Sequence, residues 1–370
     1  MTRKRVVVVA GLGDSGILTA IRLAPHVDVV GISVKPALVS GQELGLRLSR
    51  PDDWARDYFV GFDRFRGLDR VRTVHGSLTG VDPVARQVFV QRDDGTSTTE
   101  GYDALVISTG VANGFWRRPT LQTAADVGED LRAAHGRIAR AESVVVIGGG
   151  AAAVSSAANV ARTWPDKRVD LYHPGERPLP AHHPRVWSHV QRRLRDAGVR
   201  VHGGHRAVVP DGFACDEITA DTVQWSTGQP PACADAVLWA IGRVTPNTSW
   251  LPSDMTDDGG FVRVTPDLRV PGRPGVFAVG DVAATDPLRS SARNRADGLL
   301  ASNIRAEFAG QPLRSYRAPR RRWGSVLGPQ PDGLEVFAPG GRPFRFPAWS
   351  VNRVLQPLIV RKGIYRGIRD

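Results

Sequence analysis

The sequence predicts an α/β fold with two parallel sheets, each covered by helices on both faces, followed by a small basic C-terminal segment. A pattern of β-branched run, glycine-rich turn and Ala-rich helix occurs twice, starting near Arg5 and again near Ser143. Strands that alternate with helices form parallel sheets, whose buried strands read as continuous apolar runs. The chain of 370 residues is also longer than one hydrophobic core usually supports, which favours two domains.

The first copy of the pattern contains a glycine motif between an apolar strand and a helix that we expect to start at Ile17. This motif is Gly11-x-Gly13-x-x-Gly16, with Ser15 inside the turn. Small residues let the backbone approach a diphosphate, whose charge is stabilised by free amides and by the positive end of the helix dipole. Between a strand and a helix, the motif predicts a dinucleotide site.

The second copy has the same construction. Gly148-x-Gly150-x-x-Ala153 follows an apolar strand and opens an Ala-rich helix, and the next strand runs from Arg168 to Tyr172. One such motif can be an ordinary tight turn between a strand and a helix. Two in series favour two nucleotide sites in one chain.

Three further segments end apolar strands with small residues. Tyr102 to Gly110 follows the first glycine motif, Ala234 to Asn247 follows the second, and Pro274 to Ala283 comes last. The third segment contains Gly280-Asp281. An aspartate at the end of a strand can accept a hydrogen bond from a sugar-like hydroxyl while its small neighbours let a ring approach.

The five motifs, in this order, resemble the two-dinucleotide-binding-domain flavoproteins of the pyridine nucleotide-disulfide oxidoreductase superfamily. Cys215 and Cys233 are the only cysteines and lie far apart, so no redox cysteine pair is available. Within the superfamily, the chain is therefore more similar to the apoptosis-inducing-factor-like and type II NADH dehydrogenase-like branch.

The resemblance implies two Rossmann-like domains, the second inserted in the first. Residues 1–118 and 262–317 would form a discontinuous FAD-binding domain, 119–261 an NAD(P)-binding domain, and 318–370 a basic segment. FAD would be held by Gly11, Gly13, Ser15, Gly16, Thr109, Gly110, Gly280 and Asp281, and the nicotinamide dinucleotide by Gly148, Gly150, Ala153, Ile241 and Gly242. No catalytic side chain is expected, because hydride transfer between stacked rings requires position rather than a proton relay.

Several positions depart from the family pattern. Ser33 stands where a dinucleotide site usually has an acid that binds ribose hydroxyls, and Lys35 is either near the adenine or a phosphate, or a solvated surface lysine. In the second copy, His173 and Arg177 could accommodate a 2'-phosphate, which favours NADPH over NADH; otherwise they are loop residues without a ligand. Ser155 replaces a glutamate that relatives often carry.

The implied function is an NAD(P)H oxidoreductase that passes electrons through FAD to a small acceptor, with a quinone as the first candidate. A reductase of a ferredoxin-like protein, or a specialised biosynthetic flavoenzyme, is the alternative. A third hypothesis is a non-catalytic nucleotide sensor, in which Ser33, His173 and Ser155 mark a degenerate site.

The net charge of +12 is concentrated at the end of the chain. Residues 314–370 hold 12 of the 49 Lys and Arg but only 3 of the 37 Asp and Glu. Cations alternate there with apolar and aromatic residues, as in an interfacial segment on an anionic membrane. The alternatives are a segment that folds against the body, a homodimer interface, or attraction of an acidic protein; a nucleic-acid partner is not expected.

Short apolar runs exclude a transmembrane helix, which needs about 20 residues. We expect a cytoplasmic protein, with peripheral attachment to the inner face of the membrane as an open possibility. Five histidines cluster in the sequence: His182, His183, His189, His202 and His205. No cysteine or carboxylate stands at ligand spacing among them, so no metal site is predicted.

Overall fold

The structure is a computed structural model that describes residues 4–284, 296–317 and 323–369. The helices are α1 (Asp14–Leu23), α2 (Leu44–Ser49), α3 (Pro51–Tyr58), α4 (Ala124–Arg140), α5 (Ala151–Thr163), α6 (Pro184–Asp196), α7 (Ala296–Phe308) and α8 (Ala348–Ser350), which continues into a π-helix (Val351–Ile364). Short 3₁₀ turns cover Phe62–Arg64, Arg66–Leu68 and Ser253–Met255.

The strands in the first part of the chain are β1 (Val6–Ala10), β2 (Asp28–Ser33), β3 (Ala37–Val39), β4 (Phe59–Gly61), β5 (Val71–Asp82), β6 (Gln87–Arg92), β7 (Ser97–Gly101), β8 (Ala104–Ile107) and β9 (Val111–Ala112). Then come β10 (Ser143–Ile147), β11 (Arg168–Tyr172), β12 (Arg200–His202), β13 (Ile218–Thr219), β14 (Thr222–Val223), β15 (Ala232–Cys233), β16 (Ala236–Trp239) and β17 (Thr245–Pro246). The last are β18 (Val276–Ala278), β19 (Pro329–Gln330), β20 (Gly333–Phe337) and β21 (Pro343–Phe346).

The first sheet has the strand order β18-β8-β1-β2-β5-β6-β7. The strands from β18 to β5 are parallel, and β5, β6 and β7 continue the sheet as an antiparallel meander. Val8 pairs with Val30 on one side and with Leu105 on the other, and all three side chains are buried. The last strand along the chain, β18, thus completes the sheet begun at the N-terminus.

The second sheet has the order β12-β11-β10-β16-β13, with β13 antiparallel to the rest. Helix α5 follows β10 directly and packs its alanines against the sheet, where Ala153, Ala157 and Ala158 are fully buried. The α/β fold with two dinucleotide-binding sheets is therefore confirmed. The boundaries at residues 118 and 261 stay predictions.

Helix α1 begins at Asp14, three positions before the predicted start at Ile17. Gly13 is in an extended conformation and acts as the N-cap, so the last part of the glycine motif already forms the first helical turn. The sequence also predicts an amphipathic helix from Ser290 to Ala309, whose first turn lies outside the described residues. From Ala296 onward the helix is present as α7.

The basic C-terminal segment folds back onto the rest of the chain. Val326, Leu327 and Phe337 join the core formed by α2, α5 and the second sheet. Arg369 forms a bidentate ion pair with Asp69 at 2.6 and 2.9 Å, close to the first sheet. Across the described ranges, no helix has the length and apolar character needed to cross a bilayer.

Candidate functional site

A cavity of about 470 Å³ opens at the carboxyl ends of the parallel strands of the first sheet. Its wall combines the glycine loop after β1, the end of β2, residues 108–112 after β8, residues 116–119, residues 245–247 and the turn after β18. Ligands of open parallel sheets bind at this edge, where the strand order reverses. The cavity is therefore the candidate FAD site.

The glycine loop after β1 fits a diphosphate. Gly11 has a φ of +100°, and a side chain there would lie 2.5 Å from the Ser108 carbonyl oxygen. A side chain at Gly16 would overlap the carbonyl of Gly11, whereas nothing lies within 4 Å of the side-chain position of Gly13. The loop is closed toward the protein and open at Gly13, as close approach of a ligand to the backbone requires.

Ser33 and Lys35 both line the cavity at the end of β2. The Ser33 hydroxyl accepts a hydrogen bond from the Lys35 backbone N–H at 3.2 Å. The Lys35 Nζ donates to the carbonyls of Arg118 and Thr120 at 3.1 and 2.8 Å. The structure thus places this lysine against the backbone rather than in open solvent. Its burial lowers the pKa of Lys35 to about 8.

Thr109 and Gly110 join the cavity to the chain that returns from the second sheet. The Thr109 hydroxyl donates to the Asn247 carbonyl at 2.7 Å, and Asn247 Nδ2 donates to the Thr109 carbonyl at 2.9 Å. Gly110 has a φ of +67°, a conformation that favours glycine. This reciprocal pair of hydrogen bonds joins the segment that leaves the first sheet after β8 to the segment that returns from the second sheet.

Gly280 and Asp281 lie opposite the glycine loop. A side chain at Gly280 would lie 2.9 Å from the Ser15 hydroxyl, so the two motifs face each other across the cavity wall. The Asp281 carboxylate accepts a hydrogen bond from Arg117 Nη1 at 2.7 Å. Both side chains of this ion pair are mostly buried, with 16% and 17% of their surfaces exposed.

Sequence reasoning missed Arg117 and Asp14 as site residues. Arg117 stands next to the predicted domain boundary at residue 118, and Asp14 occupies a variable position of the glycine motif. The structure places both on the cavity wall. The signal for Arg117 was a pair of arginines that begins seven residues after Gly110, and for Asp14 an acid at a site expected to bind an anion.

The second glycine loop lies at the end of β10 and also fits a dinucleotide. Gly148 has a φ of +143°, and a side chain there would overlap the Ala240 carbonyl. Nothing lies within 4 Å of the side-chain position of Gly150, and Ala153 is fully buried against the sheet. Ile241 and Gly242 come two and three residues after the end of β16, the neighbouring strand, so they lie at the same edge of the sheet.

His173 and Arg177 do not form an exposed cationic pair in the structure. The His173 side chain is 2% exposed, and burial, followed by repulsion from His205, lowers its pKa. A neutral, buried imidazole supplies no charge for a 2'-phosphate. The Arg177 guanidinium donates to the carbonyls of Leu179 and His182 at 3.0 and 3.3 Å, which leaves Arg177 as the cation of this pair.

Ser155 lies where helix α5 meets helix α2. Its side chain is buried and sits against Gly45 of α2, where an added side chain would overlap the Ser155 carbonyl. A glutamate at position 155 would not fit this close helix contact without displacement of α2. Helix α2, which belongs to the predicted FAD-binding domain, therefore occupies the space that a glutamate at position 155 would need.

Two parallel sheets, each with a glycine loop at its carboxyl edge, define a protein that binds two dinucleotides. The chain belongs to the pyridine nucleotide-disulphide oxidoreductase family, whose profile matches residues 5–300. Membership confirms the predicted class, an NAD(P)H-dependent oxidoreductase with FAD and a nicotinamide dinucleotide as cofactors. The non-catalytic hypothesis is therefore set aside.

Individual relatives are distant. Ferroptosis suppressor protein 1 of Xenopus tropicalis is 27% identical over 325 residues, which cover 85% of this chain and 83% of that protein. The NADH dehydrogenase-like protein YutJ of Bacillus subtilis is 25% identical over 224 residues, 58% of each chain. Among solved structures, the covalent putidaredoxin reductase–putidaredoxin complex superposes with a TM-score of 0.63 at 21% identity, over 90% of this chain and 86% of that one.

Proposed function

We propose that the chain passes electrons from NAD(P)H through FAD to a small oxidised acceptor of the quinone class. The observation that carries this proposal is the pair of glycine loops, each at the carboxyl edge of its own sheet, the first of which opens into the 470 Å³ cavity. FAD supplies the hydride chemistry when it is bound. The chain contributes binding, orientation and charge.

The proposed roles of the residues follow from their positions. The glycine loop from Gly11 to Gly16 holds the FAD diphosphate, and Asp281 accepts a hydrogen bond from the ribityl chain. The loop from Gly148 to Ala153 holds the nicotinamide dinucleotide, with Ile241 and Gly242 beside it. We keep NADPH as the favoured donor, with Arg177 as the contact to its 2'-phosphate.

The quinone class is supported by an unusual surface at the end of the chain. Among the described residues, eight of the eleven exposed large hydrophobic side chains belong to the C-terminal segment. We call these eight the C-terminal apolar surface: Trp323, Phe344, Phe346, Trp349, Val354, Leu358, Ile359 and Ile364. Exposed cations lie among them, namely Arg342, Arg353 and Lys362.

Apolar side chains interleaved with cations suit the interface of an anionic bilayer, where each nearby cation adds about 1 kcal/mol of attraction. We propose that the C-terminal apolar surface docks there. A peripheral position of this kind would give the flavin access to an acceptor dissolved in lipid. The C-terminal strands pack against α2 and α5, so docking would hold the body close to the membrane.

A protein acceptor is the second candidate. The solved relative in complex with putidaredoxin is a reductase bound to a protein partner, and the excess of cations near the C-terminus would steer an acidic partner toward this chain. The small-acceptor proposal is preferred because the exposed C-terminal side chains are apolar as well as basic.

Anaerobic mixing tests the proposal. NADPH or NADH should bleach the visible absorption band of the flavin in purified protein, with NADPH faster. The reduced protein is then offered either a soluble quinone or an acidic ferredoxin. Rapid reoxidation by the quinone supports the proposal, reoxidation by ferredoxin alone supports the protein acceptor, and absence of bleaching with both nucleotides contradicts both.

A further inference from the structure

Asp14 places a carboxylate inside the glycine loop, in the first turn of α1 and on the wall of the FAD cavity. The Ser40 hydroxyl donates to its Oδ1 at 2.9 Å, and Gln42 Nε2 donates to the same oxygen at 3.4 Å. Both donors come from the connection between β3 and α2. The carboxylate is therefore held in place by neutral groups.

Asp14 belongs to a charge cluster with Arg117 and Asp281. Arg117 is paired directly with Asp281 at 2.7 Å and also attracts Asp14, while Asp281 repels Asp14. The guanidinium lies against Gly41, where any side chain would overlap it. This cluster of two acids and one cation has a net negative charge when both carboxylates are ionised.

The surroundings of Asp14 disfavour its ionised form. Burial has the largest effect and raises the pKa of Asp14, and Arg117 and the Ser40 hydroxyl only partly counter it. Tyr365, near the C-terminal end of the chain, packs its ring edge-on against Phe65. Burial raises the pKa of its hydroxyl, and the negative charge of Asp14 raises it further, so Tyr365 is neutral at physiological pH.

A diphosphate at the same loop adds negative charge beside Asp14 and would accept hydrogen bonds from the free amides of the first helical turn. Like charges at short range favour protonation of one group. We propose that Asp14 takes up a proton when FAD binds, so that FAD retention is linked to pH. Arg117 is then left to neutralise the diphosphate and to hold Asp281 toward the ribityl hydroxyls.

The sign of the pH effect follows from linkage. Asp14 is more strongly protonated in the FAD complex than in the FAD-free protein, so low pH favours binding. As the pH rises above the pKa of the free protein, the dissociation constant should increase by up to about tenfold per pH unit for one proton. It should become constant again above the pKa of the complex.

The experiment is calorimetric titration of FAD into flavin-free protein between about pH 4.5 and 7, in two buffers with different ionisation enthalpies. This range stays below the pKa of about 8 of Lys35, which lines the same cavity. The wild type should take up protons and bind more weakly as the pH rises. Asp14→Asn should bind FAD without proton uptake and with a flat pH profile. Asp28→Asn is the matched control, because Asp28 is an exposed residue of the same domain, paired with Lys4.

Two outcomes overturn the inference: wild-type binding without proton uptake across the range, or a pH dependence that persists in Asp14→Asn. Asp14→Ser removes the same charge with a smaller side chain and must agree with Asp14→Asn. Circular dichroism of each variant identifies a folding defect, and the wild-type buffer comparison decides the question if both variants unfold. The test does not depend on the electron acceptor, so failure of the quinone proposal would leave it intact.

Discussion

Single residues at the ends of β1 and β2 determine which charges and hydrogen-bonding groups the cavity presents to a cofactor. Ser33 stands at the end of β2 on the cavity wall, where a dinucleotide site usually presents an acid to the ribose hydroxyls. A neutral hydroxyl makes a weaker hydrogen bond there than a carboxylate does. We therefore expect the ribose to be held only weakly.

Ser33→Asp should tighten FAD binding, because it restores a charge-assisted hydrogen bond to the ribose. We expect the dissociation constant to fall about tenfold, which corresponds to about 1.4 kcal/mol. Quenching of FAD fluorescence on binding measures it. Ser33→Ala serves as the control and should change binding only slightly; weaker binding by Ser33→Asp would show that the ribose does not lie at this strand end.

Arg177 determines the choice of nicotinamide in our proposal. Its guanidinium donates to backbone carbonyls next to the second glycine loop, and a 2'-phosphate would compete for these donors. Arg177→Gln should raise the KM for NADPH about tenfold and leave the KM for NADH almost unchanged, as loss of a charged phosphate contact predicts. An equal change in both constants would indicate that the loop was only destabilised.

At the scale of elements, the residues around β19 in the C-terminal segment connect helices of the rest of the chain. Asn159 of α5 is 2% exposed; its Nδ2 donates to the Leu327 carbonyl at 2.9 Å, and its Oδ1 accepts from Gln330 at 3.1 Å. Arg50, between α2 and α3, donates to the Pro329 carbonyl at 2.9 Å. The residues around β19 thus connect helix α5 to the junction of α2 and α3.

Asn159→Ala should lower the free energy of unfolding by about 1–3 kcal/mol, because it removes the buried hydrogen bonds that Asn159 makes with the Leu327 carbonyl and with Gln330. Urea denaturation followed by circular dichroism measures the change. Ser156→Ala is the control on the same helix, since the Ser156 hydroxyl donates only to the Ala152 carbonyl of α5. Equal effects of the two substitutions would contradict a stabilising contact between Asn159 and the residues around β19.

At the scale of the whole molecule, the question is what covers the C-terminal apolar surface. Sedimentation with phospholipid vesicles tests the bilayer proposal. The protein should bind vesicles that contain phosphatidylglycerol, bind neutral vesicles weakly, and dissociate at high salt, since screening removes the attraction between exposed charges.

Replacement of Trp349 and Leu358 together by serine should reduce vesicle binding at least tenfold, because both side chains are exposed, at 64% and 49%, and apolar burial drives interfacial binding. Val84→Ser is the matched control, at an exposed apolar residue of the hairpin between β5 and β6. A stable homodimer that does not bind vesicles would instead assign this surface to a subunit interface.

The sequence by itself determined the two parallel sheets, both glycine loops and the class of cofactor. These features are local: each combines an apolar strand, a turn that only small residues permit and the start of a helix, all within a short stretch of chain. The return of β18 to the first sheet was also predictable, because Gly280-Asp281 matches a motif. The close contact between α2 and Ser155 was not, since neither segment carries a signal for the other.

Only the tertiary structure decided how charge is arranged in the candidate FAD cavity. Asp14, Arg117 and Asp281 come from three distant segments, and their coupling depends on distances and burial that no local pattern encodes. Burial also makes His173 neutral, although its position suggested a cation. The same holds for the basic C-terminal segment, whose composition left several partners open. The fold showed which of its apolar side chains are buried and which stay exposed, because burial depends on contacts distant in sequence.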